Sequence, residues 1–506
     1  MIANESHSFD LAWFNQTPRL DLLQKGSLRR ILNLSAQLSD DWSGMLGRST
    51  MQEDFGSLRF QLAYMAYALG LTHVHRLPAA PAMFREPFDR LIQKTLSPDV
   101  WSYWHYVSTG NGPFNGSQGV LPSRWNPVDT DNIMYSAYVQ SMALMYHYLF
   151  RDAKYASEGA LTFAVVSLFW GGDDKRFPYD ERSLNQHLYW NMVERGYLGI
   201  ACEPNCVFQI CNQPAIFGFR FHDLVYGGDT ASEVTSGYLK AWSEFGILDE
   251  AGHFNMLVQE KERIALANPN SPWVDLWVMT LMHAWNPQFI EQQYPTLIKS
   301  WLQNGPNDTL WVSPPYIGPG LEAIPVAHNQ GWAAACAAEM GDSERLKKLL
   351  AYADEYLHPT WSDGGYHYQR CDEGFDADGR FITMDPHTSN ALLPLARLNV
   401  PGGIHKLYEG PWGDAHFKEP AVTSLSAGTS LCRAWFDTQR NSLALTVDSS
   451  TRTDVRRLEI SNALGRGVYH LSSQGEKCEV FEQHENGLLC IELTGCKETD
   501  LILEWE

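Results

Sequence analysis

Two cysteines nine positions apart, Cys202 and Cys211 in the segment CEPNCVFQIC, are the residues of this chain best suited to chemistry. A thiol titrates near about 8.5, close enough to neutrality to release a proton in one step and recover it in another. If a helix begins at Val207, Cys202 sits on the loop before it and Cys211 about one turn in, so both can face one cavity. Cys206 lies between them. Cysteine is also among the most buried residue types, so packing alone is the competing explanation.

The elements that must position these thiols are helical. Runs with helical period cover 58–71, 132–151, 155–169, 184–197, 207–225, 231–245, 274–284, 328–340, 343–356 and 388–397, separated by short turns rich in Pro, Gly and Asp. Such recurring pairs predict a mainly α fold, an (α/α)6 barrel. After Gly402 the texture changes to short β-rich runs punctuated by Gly, Asn and Ser, beginning at Ser430 and ending at Trp505. They predict a small C-terminal antiparallel β-sandwich, with domains 1–405 and 406–506, and its expected role is to cover barrel surface or hold an assembly together.

The cysteine segment resembles the motif of the linalool dehydratase/isomerase family, in which two cysteines at this spacing open and close a C-E-P-[ND]-x-x-F stretch. Other segments are similar to that family in the same order: Arg59 to Tyr67 (RFQLAYMAY), Val100-Trp101 with Trp104, Asn132 to Ser136 (NIMYS), Pro272-Trp273, Glu339 to Asp342 (EMGD) and Asp385 to Val400. The likeness spans roughly residues 30–405. It implies an (α/α)6 barrel, loss of water from a tertiary allylic alcohol coupled to allylic isomerisation, and a homo-oligomer whose subunits share sites.

The resemblance also implies a histidine four residues after the N-I-M-Y methionine, tyrosines on the early helices and an N-terminal aspartate that reaches a neighbour's site. This chain has Tyr138 at the histidine position, Phe60 at the early tyrosine and Trp277 at a later one. Asp40, Asp41 or Asp54, with Asp41 preferred, stands for the aspartate, and the segment from Asp40 to Gln52 is expected to complete a neighbour's site. The thiols therefore remain while their polar surroundings have turned aromatic. Aromatic faces stabilise a nearby cation by about 0.5–2 kcal/mol each when desolvated. Phe60, Trp104, Met134, Tyr138, Phe208 and Trp277 would thus suit a developing carbocation or a greasy substrate, although inward aromatics are more often core filling.

Composition narrows the classes. A net charge of −21 repels nucleic acid and disfavours a diphosphate substrate, so a small, neutral, apolar one is expected. No apolar run approaches the roughly 20 residues that span a bilayer, and the start MIANESHSFDLAWFN lacks a signal core. A cytoplasmic protein is expected, and nine scattered cysteines suit a reducing compartment. His187, His283 and His328 lack metal-ligand spacing, Asp376 to Gly379 reads as a turn rather than a calcium loop, and no nucleotide-binding glycine loop is present, so neither metal nor organic cofactor is expected. Two alternatives stand beside a cofactor-free lyase, isomerase or cyclase. One is a glycoside hydrolase or polysaccharide lyase with paired carboxylates, favoured by 18 tryptophans that can stack on sugars. The other is a binding protein that kept the barrel and lost the chemistry.

Overall fold

The computed structural model describes residues 9–47, 57–312, 328–449, 455–475, 479–485, 488–494 and 497–506. They form two compact units: Ser27–Ala68 with Asp89–Gly410, and Met1–Gly26 with Leu69–Phe88 and Pro411–Glu506.

The larger unit is mainly helical. Two helices, Ile133–Phe150 and Leu58–His75, the latter contributing its residues up to Ala68 to this unit, are apolar nearly all round, and their described side chains are buried on every face from Leu58 to Ala68 and from Ile133 to Tyr146. A helix without a polar face cannot sit at the surface, so both belong to the core. Ile133–Phe150 packs against Gln209–Tyr226, and a Cβ added at Gly218 would lie 2.2 Å from the Gln140 side chain. Only glycine allows that approach. Around them run Glu181–Glu194, Thr230–Ser243, Pro272–Met282, Pro287–Trp301, His328–Glu339 and Ser343–Tyr356. Asp180 caps the first of these, accepting from Ser183 N–H at 3.0 Å in a capping box.

Three local expectations change. The stretch 155–169 is no helix: it holds a 3-10 turn at Lys154–Ala156 and a strand Phe163–Ala164 paired with Arg176–Phe177. Gly159 in the left-handed region and the β-branched Val165-Val166 pair oppose helical continuation there. The helix carrying Cys211 begins at Gln209 rather than Val207, because Cys206–Phe208 is a strand paired with Leu257–Gln259. Finally, Leu22–Ser35, Arg85–Thr95 and Pro287–Trp301 are helices that periodicity had not marked.

The smaller unit contains two four-stranded antiparallel sheets. One orders Ala421–Leu425, Arg456–Ser461, Leu488–Thr494 and Glu479–Glu485, and the other Thr429–Asp437, Ser442–Ser449, Glu498–Trp505 and Tyr469–Gly475. The N-terminal segment belongs to the same body: Leu20 N–H donates to Cys432 O at 2.8 Å, and Arg433 donates to Phe14 O and Thr17 O. Cys432, Asp448 and Glu498 bring a thiol and two carboxylates together here, but the Lys25 ammonium already pairs with Asp448.

Burial makes stability depend on pH from both sides. His73 and His416 are pushed down to about 3 and about 4 by desolvation, so below about 6.5 the unfolded chain takes up protons that the native one refuses. Burial raises Tyr64, Tyr67, Tyr138 and Cys211, so above about 9 the unfolded chain releases protons that the native one holds. Thermal unfolding across pH should therefore give a highest midpoint between about 6.5 and 9, falling on both flanks.

Candidate active site

Local chemistry explains why the two thiols meet. Cys202 N–H donates to Cys206 O at 2.9 Å, closing a turn in which Asn205 adopts φ +70, a conformation asparagine tolerates better than most residues. The Asn205 side chain then donates to Asn115 O at 2.9 Å and to Glu262 at 2.7 Å. One turn into the next helix, Asn212 binds both Ile200 N–H and Ile200 O, at 2.8 and 3.1 Å. That clamp holds the loop before the helix against its first turn, so that Cys202 and Cys211 lie close enough for each to shift the other's titration.

Both thiols are buried, and their environments differ. The Cys211 thiol holds Cys202 down against burial and the Glu203 charge, which together still leave it above its ordinary value. The Arg59 guanidinium and Met134 N–H also favour its thiolate. That amide lies at the start of Ile133–Phe150, whose neighbouring N–H groups on Asn132 and Ile133 donate to Cys202 O and Ala201 O. A helix N-terminus stabilises negative charge. Cys211 is raised far more, first by burial and then by the Cys202 thiol, although Arg59 also acts on it in the opposite sense. Negative charge on the pair therefore settles on Cys202. Cys206 stands apart: its Sγ donates to Phe114 O at 3.0 Å, and burial raises it strongly.

An aromatic cluster adjoins Cys211, whose charge acts on both Tyr64 and Tyr138. Phe60 lies edge-on to Tyr138 and Trp277 at 5.8 and 5.6 Å between centroids, and Trp277 stacks on Trp332 at 4.6 Å. Tyr64 is the hub: its hydroxyl accepts from Trp277 Nε1 at 2.5 Å and from the Tyr138 hydroxyl at 3.5 Å, and its ring contacts Tyr67, Trp332 and His387. Desolvation pushes the Tyr64 and Tyr138 phenols well above 10, so they stay protonated. The Trp332 indole N–H is buried with no hydrogen-bond partner among the described residues. Such a donor costs about 1–3 kcal/mol, which a substrate oxygen would remove.

The expected residues thus divide. Cys202, Cys211, Tyr138, Phe60 and Trp277 come together, and Met134 joins them through its backbone amide. Trp104 is buried but makes no ring contact with the described residues, and Phe208 is half-buried on the strand before the helix. Asp41 is committed locally, accepting from Ser43 N–H at 2.9 Å beside Lys94. Residues 48–52 of the Asp40 to Gln52 segment, and Asp54 after it, lie outside the described residues. Arg59, Tyr64, Trp332 and His387 had not been singled out. For Tyr64 a signal existed, because Phe60, Tyr64 and Tyr67 share one helix face.

The profile of the linalool dehydratase/isomerase family matches residues 59–374, well over half of the chain and including both thiols. The chain belongs to that family. Among solved structures, it is 11% identical to an α-1,6-mannanase of Salegentibacter sp. HEL1_6, covering 76% of this chain and 99% of that one at a TM-score of 0.41. An unsaturated glucuronyl hydrolase specific for heparin is 6% identical over 76% of this chain and 98% of its own, with a TM-score of 0.45. The endoglucanase CelQ from Clostridium thermocellum covers 96% of this chain and 92% of its own, at 8% identity and a TM-score of 0.37. None of the described helices is long and apolar enough to cross a membrane.

Proposed function

We propose that this protein is a cofactor-free lyase or isomerase, built on an (α/α)6 barrel, that ionises an apolar, terpenoid-like allylic alcohol. The observation that carries the reading is the pair Cys202–Cys211, both buried, brought together by the Asn212 clamp, each shifting the other's titration, with the charge of Cys211 also acting on Tyr64 and Tyr138. Cys211 passes a proton to the alcohol oxygen while taking that of Cys202. The thiolate left on Cys202 is held by Met134 N–H and Arg59. The C–O bond breaks with its electron pair on oxygen, water leaves, and the allylic cation lies among Phe60, Tyr138, Trp277 and Trp332, whose ring faces stabilise it and exclude solvent. Water recapture at the other allylic carbon gives the isomeric alcohol, proton loss gives a diene, and attack by a second double bond gives a ring. The C-terminal unit is proposed to serve assembly, and the working form a cytoplasmic homo-oligomer.

The glycoside reading finds less support. Of the three fully buried carboxylates among the described residues, two are occupied by structural donors: Asp275 accepts from His253, Phe254 N–H and Trp301, and Glu339 from His283, Asn399 and two backbone amides. Glu181, bonded to His147 and Tyr226 through one oxygen, is left without a second such carboxylate to pair with. Purified protein incubated with tertiary allylic terpenoid alcohols and, separately, with mannan, cellulose and heparin oligosaccharides should convert the alcohols alone. Sugar release with no change in any alcohol overturns the proposal.

A further inference from the structure

The aromatic cluster holds one imidazole. His387 is buried, 5% exposed, with its ring 5.6 Å from Phe60, 5.6 Å from Tyr64 and 6.1 Å from Trp332. Its position is built rather than incidental. Asp385 accepts from Thr388 N–H at 2.8 Å and from Thr388 Oγ1 at 3.1 Å, fixing the turn that leads into a π-helical stretch, Thr388–Leu392. Such stretches are rare and concentrate at functional sites. The helix His328–Glu339 packs closely on it, since a Cβ at Gly331 would meet Leu392 and Thr388 side chains at 2.7 to 3.1 Å. That contact sets Trp332 beside His387.

The chemistry around it is one-sided. Ionisation of the alcohol needs an acid, which the thiol pair supplies, and a diene forms only when a base removes a proton from the carbon next to the cation. The Cys202 thiolate is a base on the thiol side, so a carbon lying against the aromatic cluster needs one there. The phenols of Tyr64 and Tyr138 hold their protons too tightly to become bases near neutrality, and the indoles of Trp277 and Trp332 have no basic nitrogen. Imidazole is the side chain best suited to accept a proton near pH 7. Among the described residues in ring contact with both Phe60 and Tyr64, His387 is the one with a basic nitrogen. The chain carries Tyr138, not histidine, four residues after Met134, so this base comes from a different element.

We propose that His387 is a catalytic base of this site, an inference that rests on the allylic-alcohol reading above. Its imidazole takes a proton from the carbon beside the cation, the C–H electron pair becomes the new double bond, and the imidazolium returns the proton to the thiolate. One alcohol gives one diene and one water, with both thiols and the imidazole restored.

The test separates hydrocarbon formation from allylic isomerisation of the alcohol, which needs ionisation and water return but no carbon deprotonation. In His387→Gln, hydrocarbon formation should fall at least about 100-fold and by at least about tenfold more than isomerisation does, and the acid limb of the hydrocarbon pH profile should disappear. In His387→Ala, added imidazole should restore hydrocarbon formation, a readout that a merely structural role would not move. Equal loss of both products in folded His387→Gln, hydrocarbon within tenfold of wild type, or no imidazole rescue of folded His387→Ala overturns the assignment. Wild-type protein that leaves every allylic alcohol unchanged fails the parent reading instead.

Discussion

Cys211→Ala is expected to lower turnover of an allylic alcohol by at least about 100-fold, a loss of about 2.7 kcal/mol of transition-state stabilisation. The same is expected of Cys202→Ala for a different reason. Without Cys211 the proton cannot reach the substrate from a group coupled to Tyr64 and Tyr138. Without Cys202 the negative charge loses the place where Met134 N–H and Arg59 hold it. Because the two thiols act as a unit, the double variant should be little worse than either single one. Steady-state rates of the three variants check this, and multiplicative losses would show that the thiols act separately.

Glu339→Ala should cost about 3–5 kcal/mol of stability in the helical unit, the range for removing one member of a buried ionic network. Its carboxylate is fully buried at the end of His328–Glu339 and accepts from His283 Nδ1 at 2.7 Å, Asn399 Nδ2 at 2.8 Å, Ile404 N–H at 2.8 Å and His405 N–H at 3.1 Å. Removing it leaves four donors without an acceptor, and it is the only side chain that ties the 283, 399 and 404–405 segments together in this way among the described residues. Glu344→Ala, an exposed carboxylate 3.4 Å from Lys348, should change stability by less than about 0.5 kcal/mol. Urea denaturation midpoints distinguish the two, and a Glu339→Ala midpoint equal to that of Glu344→Ala would contradict the network. The EMGD segment thus reads as architecture rather than catalysis.

Much of the helical pattern was legible because the deepest helices carry an unambiguous signal. Leu58–His75 and Ile133–Phe150 are apolar on every face, and no other element accommodates such runs at that length. The strands from Thr429 onward were legible from turn residues between β-rich runs. Where local rules conflict the reading broke down: 155–169 has helical spacing but also Gly159 and adjoining valines, and Pro295 inside Pro287–Trp301 hid a real helix. Of the site, the cysteine spacing and the Phe60, Tyr138 and Trp277 positions were visible, because each stands in a short ordered motif. The groups that tune the thiols were not. Met134 acts through a backbone amide, which side-chain identity cannot report, and Arg59 acts through its charge from a helix far away in sequence. His387 sits on an irregular turn, where no periodicity marks the direction of a side chain.

The central claim is that the thiol pair ionises a carbon–oxygen bond, and oxygen exchange measures that step directly. Wild-type protein and the Cys202→Ala/Cys211→Ala variant would be incubated with an unlabelled tertiary allylic alcohol in water enriched in oxygen-18, and the recovered alcohol weighed by mass spectrometry. The account predicts label in the alcohol recovered from wild type, at a rate at least equal to product formation, and none above the protein-free control in the double variant. Product formed by wild type without any label in the recovered alcohol, or label incorporated equally by the double variant, would contradict it.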